Sequence, residues 1–154
     1  MRTRAVCGAV VGAVVLGAAG LGWAGEPSFE EKRAALEKRV AEAPAEAQVG
    51  ALNELAALLV RRNPAEALAH ARRAQELAPT RGDVVGEATA NKWAGLALMV
   101  LEKDGEGLTH MRRAQELFAG LGDRAEAART LGYCAMMLDH LGKVWEAVAA
   151  CEKA

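Results

Sequence analysis

His70-Ala-Arg-Arg-Ala-Gln-Glu-Leu77 returns, almost letter for letter, as His110-Met-Arg-Arg-Ala-Gln-Glu-Leu117, a step of 40 residues. The same step carries Ala74 to Ala114 and then to Ala154, the last residue. A fixed period of this size marks a repeat architecture. One unit cannot bury its own apolar face, so neighbouring units must stack. Ala, Leu, Glu, Arg and Lys dominate the repeated part and β-branched runs are few, so each unit is expected to be helical. The expectation is an all-α fold, a solenoid of antiparallel helix pairs.

Local signals divide residues 25–154. Ser28-Phe-Glu-Glu31 has the form of a capping box and opens an N-terminal helix within 25–44, with Phe29, Leu36, Val40 and Ala43 at helical spacing and Pro44 as its stop. A second helix is expected from about residue 45 to 61. Asn63-Pro64 turns the chain into a third that ends near Ala78, since proline suits a first helical turn. Pro79-Thr-Arg-Gly-Asp83 then separates this pair from the next, with helices near 84–101 and 106–118 and Lys103-Asp-Gly-Glu-Gly107 as the turn between them. A third pair follows near 124–141 and from 143 onward, Gly142 ending its first helix. The repeat domain thus spans 45–154, in units 45–79, 84–119 and 124–154. Such short helices are marginal alone, so their stability must come from packing of pair on pair.

Residues 1–24 differ in kind. Met1-Arg-Thr-Arg4 is basic, residues 5–21 are rich in Ala, Gly and Val without a charge, and Gly22-Trp23-Ala24 offers small residues for a signal peptidase. This reads as a secretory signal peptide cleaved after about Ala24, which makes the protein exported, periplasmic or secreted. The alternative is an uncleaved membrane anchor formed by residues 5–24, barely long enough and weakly apolar. Loss of Arg2 and Arg4 from the 19 basic residues, against 20 acidic ones, leaves a formal charge of −3. A nucleic-acid binder would need a dense basic stripe, so nucleic acid is excluded as a partner.

The spacing of small and large residues resembles the tetratricopeptide repeat (TPR), in a longer-period form common in bacterial exported and signalling proteins. In the third unit Leu131, Cys134-Ala135, Leu138, Gly142, Glu146-Ala147 and Ala154 match the family pattern. In the second, Asn91, Ala94-Gly95, Leu98, Gly107, Met111 and Ala114 do. In the first, Leu52, Leu55-Ala56 and Leu59 fit if the turn at Asn63 is one residue shorter, after which Ala67, Ala71 and Ala74 are in phase. The resemblance implies a right-handed α-solenoid of about three repeats plus the N-terminal helix. Ala56 against Ala67, Gly95 against Gly107 and Ala135 against Ala147 would let the helices of each hairpin approach closely. Two departures stand out. Asn91 takes an apolar position, and Gly105 and Gly107 weaken a helix start by about 1 kcal/mol each, so the second unit is expected to be the least stable.

The resemblance also implies that the first helix of each pair lines a concave face. Carried over residue by residue, that face holds Asn53, Ala57, Val60, Lys92, Trp93, Leu96, Met99, Arg129, Tyr133, Met136, Asp139 and His140. Trp93, Met99, Tyr133 and Met136 would form an adaptable apolar groove for a peptide or helix, rimmed by Lys92, Arg129 and Asp139. The family's carboxylate-clamping cluster is not expected, because Ala57, Trp93 and Tyr133 stand where it needs polar groups. The Arg72-Arg73 and Arg112-Arg113 pairs fall on outer helices near Glu76 and Glu116 and read as a solvated face.

Cys134 and Cys151 remain once the leader is removed. An exported chain meets an oxidising compartment, so they could form a disulfide, or remain two packed thiols, because antiparallel helix axes generally sit too far apart to be bridged. His70 and His110 lack metal-ligand neighbours and read as structural, and His140 as a partner for a helix C-terminus. No metal set, cofactor motif or catalytic constellation can be argued. The family motif continues past Ala154 and a polar capping helix is expected to follow, so either a longer natural protein or a partner on that end is expected, and Trp145 occupies a position the motif leaves exposed. The leading reading is an exported, non-catalytic module that binds a protein or peptide in a concave groove, with a homodimer through the uncapped end in view. The alternative is the extracytoplasmic sensory or dimerisation region of a larger signalling enzyme, a kinase or nucleotide cyclase.

Overall fold

A computed structural model describes residues 26–151. The leader expected over 1–24, the landmark Ala154 and the side chain of Cys151 lie outside the described residues. Among those described there are seven helices: α1 (Phe29–Glu42), α2 (Ala45–Leu59), α3 (Pro64–Thr80), α4 (Val84–Val100), α5 (Asp104–Gly120), α6 (Arg124–His140) and α7 (Val144–Cys151). From α3 on, every helix starts 20 residues after the last, so the 40-residue repeat is two half-steps of equal length.

Turn chemistry sets that rhythm. Gly82, Gly122 and Gly142 have φ of 67°, 75° and 72°, the left-handed region that glycine enters without steric cost. At these turns a paired closure recurs: the Asp83 N–H donates to the Ala78 carbonyl, that of Asp123 to Phe118 and that of Lys143 to Leu138. The α4–α5 turn uses the same closure, Lys103 N–H to Leu98, but places Glu102 at φ 59°. The α2–α3 turn differs. There the N–H groups of Arg62 and Asn63 both donate to the Leu59 carbonyl and no residue is left-handed, in keeping with a turn one residue shorter. Ser28 and Glu31 form the reciprocal capping box at α1, and Asn63, Asp83 and Asp123 cap α3, α4 and α6.

Two helix limits differ from the sequence expectation. Helix α5 begins at Asp104, so Gly105 and Gly107 lie inside it rather than in the turn. Helix α3 runs through Pro79 to Thr80, the proline removing one N–H donor in the last turn, where few helical residues remain to be disturbed.

Each helix packs on the next. In addition the backbones of α2 and α4, and of α4 and α6, come close, whereas those of α3 and α5 do not. The even-numbered helices therefore form the inner row. Residues 71–80 and 111–120 show the same succession of buried and exposed positions, and Ala74 and Ala114 are both fully buried. The hairpins close where side chains are smallest. A Cβ added at Gly95 would lie 3.1 Å from the Gly107 carbonyl oxygen, and one at Gly107 would lie 3.0 Å from that of Gly95. The backbones of α4 and α5 are thus nearly in contact, which is why α5 carries a glycine at a helical position. Ala56 and Ala67 are fully buried in the first hairpin, and Ala135 and Ala147 are buried in the third.

Asn91, polar where an apolar residue was expected, is 7% exposed and fully engaged. Its Nδ2 donates to the Glu87 carbonyl (2.9 Å), its Oδ1 accepts from Gln75 Nε2 (2.8 Å), and His110 Nδ1 lies 3.2 Å away. The three side chains join α3, α4 and α5 in one polar seam. Burial, aided by Arg72, holds the His110 imidazole below its usual range.

Candidate functional site

On α4, Trp93, Leu96 and Met99 follow at i, i+3 and i+6, which puts them on one face of the helix. Tyr133 and Met136 hold the positions of Trp93 and Leu96 one repeat later. These five residues, with Ala57, Leu58, Val60 and Val100, line one trough of about 660 Å³ across the inner row, and Arg61 and Arg62 stand at its edge. Met136 and Val100 are 48% and 45% exposed, so the apolar floor is open to solvent. A second hollow of about 380 Å³ continues the trough toward the start of α4, and Ala57 and Trp93 line both.

The other expected groove residues lie elsewhere. Asn53 is buried, reaches only the second hollow, and donates from Nδ2 to the Gly86 carbonyl of the next hairpin at 3.1 Å. Lys92 holds the equivalent position one repeat later and pairs with Glu126, again on the next hairpin, at 2.9 Å. Both are ties between successive inner helices. The Lys92 ammonium also lies 4.9 Å from the Trp93 ring centroid and 5.7 Å from that of Phe118, a cation held against aromatic faces. Arg129 pairs with the same Glu126, so the two cations expected on the rim converge on one carboxylate. His140 Nδ1 sits 3.3 Å from Asp104, spanning the last turn of α6 and the first turn of α5, and Asp139 is exposed outside the trough.

Sequence reasoning missed Leu58, Arg61, Arg62 and Val100. The α2 register explains Arg61 and Val100: with the turn one residue shorter, Ala57, Val60 and Arg61 match Leu96, Met99 and Val100. Arg62 stacks on Phe29 of α1, its guanidinium carbon 4.1 Å from the ring centroid.

A separate outer hollow of about 430 Å³ lies between α5, α6 and α7, where Gln115, Leu131 and Cys134 line it. Burial pushes the Cys134 thiol up to about 11, against the pull of Arg112, so it stays protonated and weakly nucleophilic at neutral pH. Among the described residues no group of three potential metal ligands converges, and no helix is long and apolar enough to cross a membrane.

Hairpins stacked in line, an inner row of alternate helices and a troughed inner face define an α-solenoid of helical repeats. More narrowly, the fold is that of a tetratricopeptide-repeat domain. The chain is similar to the crystal structure of the TPR domain of Arabidopsis FLU, with a TM-score of 0.67 over 71% of this chain and 93% of that one, at 18% sequence identity. No protein-family model matches the sequence. No curated protein matches it either.

Proposed function

We propose that this protein is an interaction module that holds a peptide or helical segment of a partner protein in the inner trough, without catalysis. One observation carries the reading: Trp93, Leu96, Met99, Tyr133 and Met136 come together from two hairpins to line a single solvent-open trough. Large aromatic side chains supply contact area at low ordering cost, and flexible thioethers adapt to the shape of a partner. The helices beneath them are fixed by the glycine seam and by the Asn53 and Lys92 ties, so the surface is preorganised. The test is selection of random displayed peptides on the immobilised protein. Met136→Asp and Val100→Asp, at half-exposed positions, should abolish retention of the selected peptides without unfolding the protein, whereas Trp145→Ala should leave it intact. Equal retention by all three variants would place binding outside the trough.

The segment 1–24 supports an exported module, anchored by residues 5–24 if they are not removed. Sequencing the N-terminus of protein recovered from cells decides between cleavage near Ala24 and retention. A second reading rests on α7. Trp145 is 86% exposed, beside Val144 at 52% and Leu141 at 43%, an apolar end suited to self-association in a sensory or dimerisation region of a larger signalling protein. Light scattering that shows a dimer lost in Trp145→Ala would favour it, and a monomer at all concentrations would remove it.

A further inference from the structure

The trough is apolar along its floor, with Arg61 and Arg62 at one edge, and Glu54 and Asp83 line the hollow that continues it. Arg61 and Arg62 are adjacent on the exposed turn after α2 and both border the trough. Near this face Lys92 and Arg129 share the single carboxylate of Glu126, His140 lies beside Asp104, and Arg39 pairs with Glu54. Among the described residues, Arg61 and Arg62 form no ion pair. Arg62 is nonetheless positioned. Its stacking on Phe29 uses the face of the guanidinium and leaves the N–H edge for an in-plane acceptor. A carboxylate is the acceptor whose geometry that edge matches.

We infer that the trough takes an acidic apolar segment, with bulky side chains on the Trp93–Met136 floor and an Asp or Glu side chain held by Arg61 and Arg62. This rests on the trough being the binding face. The two arginines stand on an open turn rather than in a closed pocket, so the bound chain can continue past them, and the acid is a side chain rather than a chain terminus. The protein's own residues 1–25 carry Arg2 and Arg4 and no acid, the opposite charge to the one this edge calls for.

The test selects C-terminally amidated random peptides on the wild-type protein, on Arg61→Gln and on Arg61→Gln/Arg62→Gln. The single variant keeps the Arg62–Phe29 stack, which guards against loss of the α1 contact in the double variant. The wild type should enrich peptides with Asp or Glu at a fixed distance from aromatic or aliphatic residues. Changing that acid to its amide should weaken binding several-fold, the more so at low salt. The variants should still enrich apolar peptides but without the acidic preference. The same acid-free pool on all three proteins overturns the inference while the trough reading stands. Binding only by peptides with a free C-terminal carboxylate also overturns it. Absence of any enrichment over bare support defeats the trough reading itself.

Discussion

The seam joining α3, α4 and α5 and the seam joining α5, α6 and α7 are made from the same repeat positions and filled in opposite ways. In the first, Gln75, Asn91 and His110 satisfy one another across three helices. One repeat on, Gln115 recurs, Leu131 replaces Asn91, and the seam opens into a hollow of about 430 Å³. The closures of the hairpins differ as well. Gly95 and Gly107 bring α4 and α5 nearly to backbone contact, while the third hairpin carries two buried alanines, Ala135 and Ala147, at the matching positions. The period therefore dictates where helices meet, and the individual side chains decide how tightly they meet and with what chemistry.

The sharpest way to break this contrast is at the glycine seam. Gly107→Val drives a branched side chain into the Gly95 carbonyl and should cost about 3 kcal/mol or more in urea unfolding. Gly132→Ala, in the middle of α6 with open space around it, should instead gain up to about 1 kcal/mol from helix propensity. Equal stability of the two variants would mean that α4 and α5 do not touch. Copying the third unit into the second comes next. Asn91→Leu leaves Gln75 and His110 without their shared acceptor and should cost about 1–3 kcal/mol. Leu131→Asn, beside an open hollow, should cost less, and the reverse order would show the polar seam to be incidental.

Smaller still is the α4–α5 turn. Glu102 adopts at φ 59° the conformation that glycine holds at the three equivalent turns, so Glu102→Gly should raise stability by up to about 1 kcal/mol. A lowered melting temperature would show that the Glu102 side chain contributes more than its backbone costs. The smallest expected effect is on pH dependence. The His110 pKa is depressed in the folded state by burial and by Arg72, with Glu106 opposing. The unfolded chain then binds the proton more readily, so His110's contribution is fully present above about pH 6.5 and is lost as the pH falls toward the folded value. His110→Gln should flatten that acid limb, and an unchanged limb would place the titration elsewhere.

Much of this fold is readable in the chain itself. The paired helices and the capping box at Ser28 follow from spacing and residue type, and the shortened turn at Asn63 and the approach of Gly95 to Gly107 from the resemblance to the repeat family. At α5 the glycines blur the boundary: the turn expected over 103–107 ends instead at Lys103, with Gly105 and Gly107 both inside the helix. Asn91 looks like a defect, because Gln75 and His110 lie 16 and 19 residues away in sequence and meet it only in the folded state. For the trough, helical register brings Trp93, Leu96, Met99, Tyr133 and Met136 onto one face. Register cannot show that Asn53 and Lys92 reach across to Gly86 and Glu126. Those acceptors sit on the following hairpin, so a residue assigned to the groove becomes a tie between hairpins. Arg61 and Arg62 went unnoticed because a pair of cations at a helix end is ordinary until the trough beside it is visible.

The central claim is that the inner row, α2, α4 and α6, is the face that meets a partner. Backbone amide shifts recorded by NMR while the protein is titrated with an amidated peptide from the selection test it most directly. The account predicts that the amides of Trp93, Leu96, Tyr133 and Met136 move together and saturably, with those of Arg72 and Arg112 on the outer helices unmoved. Shifts confined to α3 and α5 would contradict it.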